Sequence, residues 1–342
     1  MRSGGKKAKV GIQDIASYLK ISASTVSRAL NDHPRISKET KDRVMAAASK
    51  LGYNPGMPEL MAPEKAEAVA VLLPSLDTAL YREIAAGISN YLNLHNYHTF
   101  IIDTEGDERK ETLFFKTYQK YGVSGIIHVV SNRHLSESFY NPVLSGKLPL
   151  VTICEADFES NISSVLPDVF QGFDKILNYL NTLNIKSLAL VLEEENNPID
   201  HQLASSFESA AEVTAPGISN ISILYFDRET SSFSRNILQL LEQKNRPEVI
   251  IVKDTISALE VHHLAEREGI KIPEDILLIG IGSDYKMENL ASGLSLLKMP
   301  GFTLGSEAAE ILFDKIKNNT TEKKSEIVPV NFILKSSSIR MR

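Results

Sequence analysis

Apolar and polar positions recur along this chain with two different periods, and the change from one to the other divides it. Over residues 12–53, IQDIASYLKISASTVSRALNDHPRISKETKDRVMAAASKLGY, the spacing is helical. Ile12, Ile15, Ala16 and Leu19 share one face of a first helix, and Lys20 with Ile21 makes a short turn. Ser22 is placed to cap a second helix on which Val26, Ala29 and Leu30 face inward. Ala23, Ser24, Ser27 and Arg28 are thereby left outward. Ser37 with Thr40 opens a third helix, whose buried stripe is Val44, Ala47, Ala48 and Leu51 and whose end is Gly52. Three short amphipathic helices joined by tight turns, the second with a polar outer face, predict a helix-turn-helix able to enter a DNA major groove.

The stretch NPGMPELMAPEKAE follows, with three prolines and a glycine, and predicts a linker. Beyond it short apolar runs predict buried strands at residues 69–73, 99–103, 125–130, 148–153, 187–192, 222–226, 249–252, 276–281 and 328–334. Helical spacing falls at residues 80–94, 108–121, 170–183, 202–213, 234–243, 256–268 and 303–317. Apolar runs alternating with helices indicate parallel sheets covered on both faces. The units are too many for one compact sheet, so two doubly wound subdomains with a cleft between them are expected. Ligands of such folds sit at the carboxyl ends of the strands. Here those ends are Pro74-Ser75-Leu76-Asp77, Asp103-Thr104, Ser131-Asn132, Cys154-Glu155, residues 193–196, Lys253-Asp254 and Gly282-Ser283.

Charge sharpens the division. Residues 1–55 hold eleven Lys and Arg against four acids, a surplus of seven, so a whole-chain charge of −6 leaves −13 on the rest. A basic head on an acidic body is a phosphate-binding module attached to something else. The 43% hydrophobic and 23% charged content is that of a soluble globular protein, and no apolar run approaches the roughly 18 residues of a membrane span. No signal peptide is visible. Cys154, the single cysteine, excludes an intramolecular disulfide and agrees with a cytoplasmic location.

Catalytic signatures are missing. The chain has no phosphate-binding glycine loop, no nucleophile elbow and no paired-histidine zinc motif, so it does not read as an enzyme and implies no cofactor. Gly280-Ile281-Gly282 follows a strand but lacks the third glycine of a dinucleotide loop, and reads as a tight turn. His262 and His263 are neighbours in a helical pattern, so their rings face different ways and predict no metal site.

The string IQDIASYLKISASTVSRALN…RISKETKDRVMAAASKLGYNP resembles the DNA-binding head of LacI/GalR-type (lactose-repressor) transcription regulators. The body resembles that family's effector domain through weaker motifs, among them GISNYL, PLVTI, VKDTISAL, IKIPEDILLIGIG, LLKMP and FILKSSS. The resemblance implies an all-α helix-turn-helix head, residues 8–55, a hinge, residues 56–67, and an α/β periplasmic-binding-protein-like (type I) body of two subdomains, residues 68–342. It further implies a homodimer on palindromic double-stranded operator DNA, with a small effector in the cleft altering the fit. Ala23, Ser24 and Arg28 occupy base-reading positions, and Arg28 can grip guanine O6 and N7 bidentately. Thr25, Ser27 and Asn31 match phosphate-holding positions, and Ser22 and Arg35 complete the set.

Two departures from the family pattern alter these expectations. Relatives usually carry an arginine-rich hinge helix that inserts a leucine into the minor groove. Here Pro58 and Pro63 bracket only four residues, leaving Leu60 or Met61 as a wedge or the stretch as a tether. In the cleft, expected contacts are Ser75, Asp77, Tyr81, Cys154, Leu203, Lys253, Asp254 and Gly282. Sugar-binding members usually have Asp after the strand that ends here in Cys154, Arg at Leu203, Asn at Lys253 and Asp at Gly282; Asp168 and Asp254 are retained. Loss of hydroxyl-binding groups, with a new cation at Lys253, predicts an anionic sugar derivative rather than a plain sugar, unless Asp254 or a surface acid pairs with the lysine. The alternative to a ligand-responsive regulator is a ligand or partner sensor whose DNA binding has weakened.

Overall fold

The computed structural model describes residues 12–30, 36–51, 67–130, 137–145, 147–154, 161–193, 198–226, 232–283 and 293–340. The chain forms two compact units, Met1–Lys65 and Ala66–Arg342. In the first, α1 (Ile12–Leu19), α2 (Ala23–Leu30) and α3 (Lys38–Leu51) close on a small core of Ile15, Ala16, Val26, Ala29, Val44, Ala47 and Ala48. These are the positions that the helical spacing points inward. Lys20 takes a left-handed φ of 54°, and Ile21 N–H returns to Ala16 C=O at 3.1 Å, which ends α1 and turns the chain sharply into α2.

The body begins with β1 (Ala68–Leu73), α4 (Ala79–Leu94), β2 (His98–Asp103), α5 (Glu108–Thr117), β3 (Gly125–Val129), α6 (Glu137–Ser145), β4 (Leu150–Ile153) and β5 (Ser163–Asp168). It continues through α7 (Val169–Thr182), β6 (Ser187–Leu192), α8 (Pro198–Thr214), β7 (Asn220–Tyr225), α9 (Ser232–Glu242), β8 (Val249–Lys253), α10 (Thr255–Arg267), β9 (Leu277–Gly282) and β10 (Ser295–Lys298). It closes with α11 (Gly301–Asn318), β11 (Ser325–Pro329) and β12 (Asn331–Ile333). Two six-stranded sheets result, in the orders β2-β1-β3-β4-β5-β11 and β7-β6-β8-β9-β10-β12. Among the described residues every strand pair is parallel except β10 with β12. The inner strands β1, β3, β4, β6 and β8 are apolar runs buried on both faces, as layers of helix on each side require. One apolar core runs through both sheets, with α4, α7, α8 and α11 packed into it.

The chain passes between the sheets three times: after β5, after β10, and between β11 and β12. The single terminal strand expected at residues 328–334 is therefore two strands, one on the edge of each sheet. β5, β10 and α6 are further elements that the apolar pattern does not mark. In β5 (SSVLPD) the serines read as a loop, yet Ser163 and Ser164 are buried and bonded: Ser163 Oγ accepts from Lys324 N–H at 2.9 Å. Ser295 in β10 is likewise buried, its N–H bonded to Ser337 Oγ at 2.8 Å and its Oγ–H to Lys335 C=O at 2.9 Å. Gly280 and Gly282 are strand residues of β9, not a tight turn as their sequence suggests. Leu294, Leu296 and Ala258 pack where a Gly280 side chain would go.

Helices α4 and α11 cross with unusually close backbones. A Cβ on Gly87 would collide with the Phe302 carbonyl oxygen, and one on Gly305 with that of Ile84. On the outer side of the first sheet, buried His128 joins three elements, with Glu111 Oε1 at 3.3 Å and Tyr140 Oη at 3.0 Å.

Candidate DNA-reading face and ligand cleft

Ser22 caps α2 as the sequence predicts. Its Oγ accepts from Thr25 N–H at 3.2 Å and lies 2.9 Å from Ser24 Oγ and 2.8 Å from Thr25 Oγ1. The three hydroxyls form one polar cluster at the positive end of the helix, a favourable place for a phosphate oxygen. Ala23, Ser24 and Arg28 are exposed, whereas Thr25 and Ser27 are half-buried. Ser37 caps α3 in the same way, accepting from Thr40 N–H at 3.3 Å. Val26 and Ala29 anchor the opposite face of α2. The Arg28 guanidinium is thus presented on a rigid element rather than a loop. Asn31, Arg35 and Leu60, with the hinge, lie outside the described residues.

In the body, the carboxyl ends of the two sheets face each other. Ser283, just after β9, donates its hydroxyl to Glu83 Oε1 on α4, which belongs to the other sheet's layer. Arg82 beside it donates to the Leu76 and Asp77 carbonyls at 2.9 and 2.6 Å, and Asp77 N–H is bonded to Ser75 Oγ at 3.0 Å. Ser75 and Asp77 therefore shape the loop after β1. Tyr81 is buried, and burial together with nearby Cys154, Asp200 and Glu193 raises its phenol pKa. Because Asp200 and Glu193 come from the second sheet's side, Tyr81 and Cys154 meet them across the cleft. Burial pushes the Cys154 thiol up to about 12, so it is neutral and unreactive. Leu203 belongs to the apolar core and offers the cleft no polar group.

Lys253 is where the structure corrects the sequence reading most. Its ammonium lies 2.5 Å from Asp200 Oδ1 and 3.1 Å from Glu193 Oε2. Burial alone would lower its pKa, but the two carboxylates outweigh that effect and raise it, so the lysine is charged. Asp254 is engaged at the start of the next helix. That carboxylate caps α10, accepting from Ile256 N–H at 2.6 Å and from Ser257 Oγ–H at 2.7 Å. The expectation of an anionic ligand rested on an uncompensated cation, and here the cation is held by two acids. Gly282 ends β9 at φ 151°, a conformation that an Asp at this position would adopt only with strain.

Asp200 and Glu83 are cleft residues that sequence reasoning does not single out. Helix α8 starts four residues before its expected first turn, which puts Asp200 at its beginning, where its Oδ2 also accepts from Glu193 N–H at 3.1 Å. No local pattern links it with a lysine 53 positions later. Among the described residues no group of acids, histidines and cysteine could hold a metal ion, and no helix is long and apolar enough to cross a membrane.

A capped recognition helix on a small basic unit, with a second unit built around a polar cleft, defines a DNA-binding regulator of the ligand-sensing type. Residues 11–56 match the model of bacterial regulatory proteins of the lacI family, and residues 177–338 match a periplasmic binding protein-like domain. Catabolite control protein A of Priestia megaterium is 24% identical over 323 residues, 94% of this chain and 96% of that protein. The ribose operon repressor of Bacillus subtilis (strain 168) is 26% identical over 328 residues, again 94% and 96%. A LacI-family regulator from Enterococcus faecium, solved with bound ribose, superposes with a TM-score of 0.69 at 22% identity, covering 81% of this chain and all of that one. The chain thus joins a lacI-family DNA-binding head to a periplasmic-binding-protein-like domain, and is similar over nearly its whole length to DNA-binding transcription regulators.

Proposed function

We propose that the protein is a cytoplasmic homodimeric repressor, with no catalytic role and no cofactor, whose two heads read the halves of a palindromic operator. A small ligand in the body's cleft alters that binding. The observation that carries this reading is the outward face of α2, where Ala23, Ser24 and Arg28 are exposed above an N-terminus fixed by Ser22. Arg28 reads a base with Ala23 and Ser24 beside it, Thr25, Ser27 and Asn31 hold phosphates, and Ser22 and Arg35 belong to the same DNA-contacting set. Residues 56–67 are the hinge.

The ligand reading is a neutral hydroxylated molecule of the sugar type. The relative solved with ribose supports it, and so does the charge compensation at Lys253. An ammonium has three N–H donors, and two are engaged by Glu193 and Asp200. In this reading a ligand hydroxyl oxygen accepts from the same ammonium, near Tyr81, whose phenol feels Asp200 and Glu193.

Selection of binding sites from a randomised duplex pool by the full chain tests the regulator reading. The expected result is a two-fold symmetric site whose affinity falls steeply with salt and changes when a neutral sugar is added. Retention of sequences with no symmetry and no shared half-site would refute it.

A further inference from the structure

Resting on the reading of the cleft as a ligand site, we infer that Glu193 and Asp200 are specificity-determining residues that bar anionic ligands from it. Their carboxylates stand on either side of one ammonium, Lys253 Nζ, at 3.1 and 2.5 Å. The three side chains are 29%, 0% and 18% exposed for Glu193, Asp200 and Lys253, so the cluster is poorly screened by water. Two carboxylates and one ammonium leave a net charge of −1. At such separations the Coulomb energy remains large even with a generous effective dielectric. An anion approaching Lys253 meets net repulsion, and shedding its hydration is not repaid by a cation already engaged.

The surroundings add negative charge. Asp254 follows Lys253 directly and Glu83 faces Ser283 from α4. The neighbouring guanidinium, Arg82, is turned onto the backbone carbonyls of Leu76 and Asp77. A neutral hydroxyl meets a different surface. It can accept from the Lys253 ammonium and donate to a Glu193 oxygen, a pairing that the ionised oxygens of phosphate and carboxylate, which only accept, cannot complete. Lysine alone at this strand end would select anions; lysine between two acids rejects them. Exchange of Glu193 for its amide makes the cluster neutral, and exchange of both acids makes it positive.

The test measures anion binding by calorimetry on the full chain, using ribose 5-phosphate and inorganic phosphate at fixed ionic strength. The proteins are wild type, Glu193→Gln and the double variant Glu193→Gln/Asp200→Asn. Wild type is expected to show no saturable binding of either anion. Glu193→Gln is expected to bind ribose 5-phosphate at least roughly tenfold more tightly than wild type, and the double variant more tightly again. Asp200 is wholly buried, so if the double variant does not fold, the partly exposed Glu193→Gln decides the matter alone. Wild type binding the anion as tightly as the variant, or a folded variant with no gain, overturns the inference. Operator binding by the same proteins reports on the regulator reading separately, since a lost operator complex leaves the anion comparison intact.

Discussion

Arg28 projects from a short helix whose other face is locked by Val26 and Ala29, so its guanidinium has a defined place from which to reach a base edge. Arg28→Ala is expected to cost about 1–3 kcal/mol in operator binding and to relax preference at one base pair per half-site, read by titration against a randomised operator. Unchanged preference would remove Arg28 from the reading set. Cys154 makes a different kind of prediction. Its thiol is raised from 9.0 to about 12 by burial, so the folded state keeps a proton that the unfolded chain releases earlier. The resulting stability is complete below pH ~9 and lost as pH rises toward 12. Cys154→Ala is expected to flatten the alkaline limb of a stability–pH curve in that window, measured by denaturant melts. At this scale the sequence is informative where the contact is local. The Ser22 cap lies three residues from the amide it satisfies, and could be read directly. The partners of Lys253 lie 53 and 60 residues away, on elements that only the sheet order brings together, and could not.

Helices α4 and α11 meet through Gly87 and Gly305, each pressed against a backbone carbonyl of the other helix. No side-chain rearrangement can make room there. Gly87→Ala or Gly305→Ala is expected to destabilise the body by about 1–3 kcal/mol or more, visible as an earlier denaturant midpoint with an unchanged slope. A neutral result would mean that the helices separate easily. For the hinge, the two prolines leave barely one turn, and Pro63 donates no backbone hydrogen bond. Leu60→Ala is therefore expected to change operator affinity little, and operator bending to be slight; a sharp central bend abolished by that substitution would reverse this reading. Long apolar runs and amphipathic helices were legible from the chain because burial on two faces leaves few other options. β5 and β10 were hidden because their serines satisfy themselves through strands and turns far along the chain, which no local period records. Gly280-Ile281-Gly282 misled for the opposite reason, since its glycines serve close packing within a strand.

For the whole molecule, the contrast between a head with a surplus of seven positive charges and a remainder of −13 separates affinity from sensing. Residues 63–342 alone are expected to form a dimer without measurable DNA affinity, checked by ultracentrifugation and by gel shift at low salt. Tight operator binding by that fragment would end the division of labour. Ligand identity is the part least legible in sequence, because a residue type at a strand end reports what could be donated but not what already holds it. Lys253 shows the difference.

β11 and β12 are joined through Val330 alone, yet each completes a different sheet. Neither half of the body can therefore be finished on the ribosome until residues 325–333 have emerged. A chain cut or stalled just before Ser325 would carry an intact head while both sheets lacked an outer strand, exposing two open edges at once. Such a product would be a target for aggregation or proteolysis, however small the missing piece.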